Sequence, residues 1–259
     1  MAKIDLSTLI DAGAEKAALS KSDLPHFLTH AALTGAFIFV GTLLSSLTAA
    51  WFYTDYLPVA RFLGAFTFST ALLLVVLLGG ELFTGLNLTM GVSLYEGKVT
   101  PAQVLRVWLL AYIGNFIGIL VLSLLLAGSG ASRDLLSAYL ALTVPAKLAA
   151  PWYSLIFKGV LCNFMVCIGA FSNYRVKSDV GKIVVIIGAI TTFVLAGFEH
   201  SVANMVTFCL YTLYHGPAQL PAIGWSMLWV TLGNILGGAV LLGLPLWLVS
   251  LHGETKSPL

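Results

Sequence analysis

The sequence predicts an all-α membrane protein with six transmembrane helices, folded as two inverted three-helix repeats whose second and fifth helices are broken. Three observations carry this. First, 59% of the 259 residues are hydrophobic and only 9% are charged, with a mean hydropathy of +0.96, against roughly a quarter charged in soluble globular chains. Second, the apolar runs are about 20 residues long, the length at which an α-helix crosses a hydrocarbon core of roughly 30 Å, and they are not the alternating ~10-residue strands of a barrel. Third, short glycine-rich and polar fragments recur at nearly one offset along the chain.

The elements follow in order. Residues 1–25 carry Asp5, Asp11, Glu15 and Lys16 on a helical pattern without an uninterrupted apolar core, which fits an amphipathic cytoplasmic helix over about 5–20 at the membrane surface and not a signal peptide. The transmembrane domain occupies 26–252, and 253–259 form a cytoplasmic tail. A first span over about 28–53 holds no charge. The second starts after Arg61 and runs to about Ser93, interrupted midway at Gly79-Gly80-Glu81 and Thr84-Gly85, so it reads as two half-helices. The third covers about 105–128 and is followed by a short polar stretch with Arg133, Asp134 and Lys147. A fourth span, about 152–172, holds Lys158 and Asn163. The fifth starts after Lys182 and is broken between Gly197 and Asn204, and the sixth covers about 223–251. Cys162, Cys167 and Cys209 all lie in apolar runs and read as packing residues.

Gly114-Asn115-Phe116-Ile117-Gly118 in the third span matches Gly233-Asn234-Ile235-Leu236-Gly237 in the sixth, 119 residues on. At nearly that offset, Leu82-Phe83-Thr84 pairs with Glu199-His200-Ser201. Three helices per half is an odd number, so the halves enter the membrane from opposite sides. Recurrent small-residue motifs also arise from close helix packing alone, but two signals at one spacing favour a repeat. With the N-terminus inside, nine Lys and Arg (Lys3, Lys16, Lys21, Lys98, Arg106, Arg175, Lys177, Lys182, Lys256) fall on the cytoplasmic side and three (Arg61, Arg133, Lys147) outside, which places both termini in the cytoplasm. A net charge of +2 without a basic cluster gives no reason to expect a nucleic-acid partner.

Non-helical backbone at membrane depth leaves amides and carbonyls without partners at several kcal/mol each by order of magnitude, so two such breaks point to a polar path between them. Glu199 and His200 at one break add about 2.5–3.5 kcal/mol for an ionised carboxylate even on the lenient insertion scale. The half-helix N-termini direct positive dipole ends toward the midplane, an arrangement suited to an anion.

Gly80-Glu81-Leu82-Phe83-Thr84 followed by Lys98, then Lys158 to Cys167 (KGVLCNFMVC), and above all Gly197 to Met205 (GFEHSVANM) resemble the signatures of the formate/nitrite transporter family, over about residues 25–250. The resemblance implies an aquaporin-like protomer with its own pore, a homopentamer in the inner (cytoplasmic) membrane, and a small monovalent anion as substrate: formate, with nitrite or hydrosulfide as alternatives. It implies His200 as the central pore residue, Thr84 as its hydrogen-bonding partner, Leu82 and Phe83 as one apolar constriction, and Phe68, Leu72 and Phe193 as other narrow points. Lys147 becomes the basic residue of the outer vestibule and Asn163 a polar pore-side position. Glu81, Glu199, Ser201 and Asn204 support the broken helices, Glu81 standing where some relatives have Asp.

Other readings weigh against these. Lys158 reads as a snorkelling residue at a helix end. The two glutamates read as acceptors for freed backbone N–H groups, because a negative lining would repel an anion. An aquaporin-like pore for a neutral solute would carry paired Asn-Pro-Ala boxes, which are missing here. A membrane enzyme using His200 and Glu199 as acid and base would be accompanied by metal-ligand spacing, a nucleophile elbow or a nucleotide loop; none is present, and no cofactor is expected.

Overall fold

The computed structural model describes residues 5–251; Lys3, Lys256 and the expected tail over 253–259 lie outside the described residues. Within them the chain is built from helices whose ends follow local chemistry. Helix α1 spans Ser7–Ser22 and α2 spans Leu24–Phe52, separated by Asp23, whose carboxylate accepts the His26 amide while Pro25 occupies the first turn. Helix α3 covers Leu57–Leu78 and α4 Phe83–Tyr95. Helix α5, Pro101–Ser129, opens on a capping box between Thr100 and Gln103 and stops at Gly130 in the left-handed region. Then come α6 (Arg133–Leu148), α7 (Trp152–Arg175), α8 (Asp179–Leu195, capped by Ser178) and α9 (Ser201–His215). The last rod runs from α10 (Leu220–Ile235) through a π-helical segment (Leu236–Gly243) into α11 (Leu244–Leu251).

Among the described residues five helical rods are long and apolar enough to cross a membrane: α2, α3, α5, α7 and the rod over 217–251. Their outward faces carry Leu33, Trp51, Phe62, Leu105, Leu125 and Phe157, all more than half exposed, as a chain solvated by lipid or by other membrane subunits requires. Close packing depends on small residues. A Cβ on Gly118 would collide with Ala32 of α2, and one on Gly237 with Val160 of α7, so α5 lies directly on α2 and the last rod directly on α7.

Three elements take a more definite form than the sequence gives them. Helix α1 packs one face on the bundle: Leu9, Gly13, Ala17 and Ser20 are buried, and the Ser93 hydroxyl of α4 donates to the Ile10 carbonyl at 2.9 Å. The stretch after α5 is not merely a polar connection but the 16-residue helix α6, whose Leu136, Leu140 and Val144 are buried; the flanking charges and Pro145 hid that apolar stripe. The second span is interrupted where expected, at 79–82, but the two pieces are unequal, 22 residues in α3 and 13 in α4. All 22 residues of α3, roughly 33 Å at 1.5 Å per residue, precede the interruption.

Candidate functional site

Two non-helical segments, 79–82 and 196–200, separate α3 from α4 and α8 from α9. Each contains a glycine in the left-handed region, Gly79 at φ 84° and Gly197 at φ 73°, which lets the chain leave the helix at little cost. Thr84, Gly85 and Ser201 to Asn204, expected inside the breaks, already belong to the first turns of α4 and α9. The reason is an asparagine at each site. Asn115 Oδ1 accepts the Phe83 amide at 3.0 Å, and its Nδ2 donates to the Ala31 and Glu81 carbonyls. Asn234 Oδ1 accepts the Ser201 amide at 2.8 Å, and its Nδ2 donates to the Gly159 and Glu199 carbonyls. A carboxamide accepts and donates at once, so one side chain starts a helix and satisfies the extended strand before it. The matching bonds also move the pairing by one residue: Glu81-Leu82-Phe83 corresponds to Glu199-His200-Ser201.

The glutamates therefore do not cap backbone amides, as the sequence reading had it; the Glu81 amide itself donates to Thr34 Oγ1 at 2.7 Å. Both carboxylates instead face a lysine from a remote helix. Lys16 Nζ of α1 lies 2.5 Å from Glu81 Oε1, and Lys147 Nζ of α6 lies 2.5 Å from Glu199 Oε2. Lys147 also donates to Asn204 Oδ1 at 3.1 Å, and Asn204 Nδ2 donates to Glu199 Oε2 at 2.9 Å. A buried carboxylate held this way carries little net charge toward its surroundings. Local sequence shows Lys16 only as an inner-side charge, because its partner is 65 residues away; the one signal of the pairing is that a second buried glutamate needs a second cation.

His200 caps α9. Its Nδ1 accepts the Ala203 amide at 3.0 Å, which puts the proton of the neutral ring on Nε2, and Nε2 lies 3.0 Å from Thr84 Oγ1 of α4. The first turns of the two short helices thus meet through this contact. Phe193 stacks beside the imidazole with centroids 6.1 Å apart, and Phe68 approaches both rings edge-on at 6.4 and 5.8 Å. Ser201 is buried with its hydroxyl unpartnered among the described residues. Asn163 of α7 donates from Nδ2 to the Thr84 and Asn234 carbonyls and to Asn87 Oδ1, tying α4 to α7 and α10. Cys167 adds a weak bond to the same Thr84 carbonyl.

Cavities open at both ends of α3. One, about 380 Å³, is lined by Gly64 and Ala65 near the start of α3 and by Val194 to Gly197 at the second break. The other, about 190 Å³, is lined by Lys16, Leu72, Leu82 and Gly79 at the first break. Phe68, Phe193, His200 and Thr84 are buried, as are Leu72 and Leu82, so a closed plug with one polar contact in it separates the cavities. Leu82 and Phe83 part company here. Leu82 faces the smaller cavity, whereas Phe83 packs edge-on against Tyr112 at 4.9 Å and lines a groove between α5 and α10.

A sequence profile of the formate/nitrite transporter family matches residues 4–248. The chain belongs to the formate/nitrite transporter family. Among curated relatives, the nitrite transporter NirC of Salmonella typhimurium is 33% identical over 93% of this chain and 90% of its own length. The formate channel FocA of Haemophilus influenzae is 32% identical over 80% of this chain and 79% of its own. Solved structures agree. An FNT family ion channel superposes with TM-score 0.86 at 31% identity, covering 94% of this chain and 97% of that one. A pentameric formate channel with formate bound gives TM-score 0.73 at 26% identity, covering 87% and 97%. This formate/nitrite transporter family member is a membrane protein, and its relatives are channels and transporters, not enzymes.

Proposed function

We propose that the chain is a channel for small monovalent anions, formate first, with nitrite or hydrosulfide as alternatives, and that the anion crosses at the His200–Thr84 contact. The observation that carries this reading is the arrangement along α3: a cavity at each end and, between them, an apolar plug whose polar interior contact joins two broken helices. The names of the relatives, a nitrite transporter and formate channels, support the substrate class.

An apolar plug opposes a bare charge strongly. The idealised cost of moving a carboxylate-sized ion into a medium of ε ≈ 4 is about 20 kcal/mol. His200 lowers it by presenting Nε2–H, with Thr84 Oγ1 as relay, so that the anion passes hydrogen-bonded or as its neutral acid. The Nδ1 cap on Ala203 favours a hydrogen-bond donor over a fixed imidazolium, because protonating Nδ1 removes the cap. Anion flux then rises with acidity through the proton that travels with the anion, and His200 shapes that dependence. Leu72 and Leu82 form the closure toward α1, Phe68 and Phe193 the closure toward α6. Lys147 and Lys16, each held by its glutamate, make the mouths polar without binding the anion tightly, while Asn163, Asn204, Ser201, Glu81 and Glu199 hold the two breaks in register.

The paired asparagines support an inverted repeat of aquaporin-like halves, α8 with α9 supplying the sixth crossing. A homopentamer in the inner membrane with both termini cytoplasmic completes the reading; the pentameric formate channel among the structural neighbours supports the assembly. The test is uptake of formate, nitrite and sulfide into liposomes holding the pure protein. Wild-type flux above empty liposomes that falls in His200→Phe supports the reading, and wild-type flux equal to empty liposomes overturns it.

A further inference from the structure

The larger cavity holds a charged group that the site described above does not use. Arg61, in the first turns of α3, lines it beside Tyr53 and Tyr139. The lysine at that end, Lys147, is tied to Glu199 and Asn204. The Arg61 guanidinium, by contrast, makes no ion pair or hydrogen bond among the described residues. The cavity wall also includes Ala196 and Gly197, the turn that leads to His200. Its volume of about 380 Å³ is large for a single small anion, so a bound anion would keep part of its water.

We infer that Arg61 is the anion-capturing residue of this vestibule and that its planar fork favours planar two-oxygen anions, the carboxylate or nitrite class, over hydrosulfide. This rests on the channel reading above. A guanidinium pairs two N–H groups with two oxygens, a geometry that a single sulfur cannot match and that an ammonium does not reproduce. Being uncompensated and facing water, the charge acts by concentrating anions at the mouth, so its effect appears in the concentration dependence of flux and fades with salt.

The experiment measures initial uptake against anion concentration, at about 10 mM and about 1 M ionic strength, for wild type, Arg61→Gln and Arg61→Lys, each confirmed by gel filtration to keep the wild-type assembly. At low salt, Arg61→Gln is expected to raise the half-saturating concentration about threefold for hydrosulfide and about tenfold for formate and nitrite, with a smaller change in maximal flux and little difference at high salt. Arg61→Lys is expected to restore hydrosulfide to the wild-type value while leaving formate and nitrite about threefold weaker. Wild-type half-saturation for formate in Arg61→Gln at low salt overturns the capture role while leaving the channel reading intact. Equal effects of Arg61→Lys on formate and hydrosulfide overturn the preference for two-oxygen anions. Absence of any wild-type flux overturns the channel reading and this inference together.

Discussion

Replacing Asn234 with alanine tests whether one carboxamide holds the second break together. The side chain is fully buried and makes three hydrogen bonds: it accepts from the Ser201 amide and donates to the Gly159 and Glu199 carbonyls. Alanine removes all three at about 1 kcal/mol each and leaves a buried N–H without a partner, a penalty of about 1–3 kcal/mol that water cannot readily relieve at this depth. The sum is about 4–6 kcal/mol. At roughly 2–4 °C per kcal/mol for a chain of this size, the midpoint of thermal unfolding in detergent should fall by about 10 °C or more. Gln103→Ala is the control, since it breaks only the exposed capping box at the start of α5 and should cost about 1 kcal/mol. Fluorescence-monitored melting of the three proteins side by side decides the matter. If Asn234→Ala melts no lower than Gln103→Ala, the asparagine is not what starts α9 and the structural account of the break is wrong.

Three further outcomes follow from the same geometry. Gly197→Ala forces φ 73° on a residue with a Cβ but meets no atom within 4 Å, so it should lose about 1–2 kcal/mol by strain alone; a melting point equal to or above wild type would speak against it. Breaking the Lys147–Glu199 pair from one side, by Lys147→Met or Glu199→Gln, leaves the other member unpaired, so the double substitution should cost less than the two singles added together, with a coupling of about 1 kcal/mol or more in a double-mutant cycle, and strict additivity would dismiss the pair. Leu72→Ala, alone or with Leu82→Ala, should open the closure facing Lys16 and raise acetate uptake relative to formate; an unchanged ratio would mean that these leucines do not limit the passage.

Much of this was legible before any coordinates. Composition and run length announced a membrane protein, and the glycines at 79–80 and 197 marked where helices stop, because few other residues leave a helix at positive φ so cheaply. The Gly-Asn motifs at 114 and 233 stand out as a repeat, but that each asparagine caps a different helix depends on contacts spanning 32 and 33 residues, invisible to local pattern. Helix α6 escaped for a different reason: its apolar stripe is only three residues deep and ends in Pro145 and Lys147, the composition of a loop. The lysine partners of Glu81 and Glu199 lie 65 and 52 residues away in sequence, so the charge balance of the breaks emerged only when the helices were assembled.

The most direct test is formate uptake by His200→Phe in liposomes across pH, beside wild type and with assembly checked by gel filtration. Phenylalanine fills the same space and leaves the contact to Thr84 without a donor. Loss of most formate flux, with whatever remains following pH differently from wild type, is the expected result. Wild-type flux with a wild-type pH profile would show that the anion crosses somewhere other than between these two broken helices.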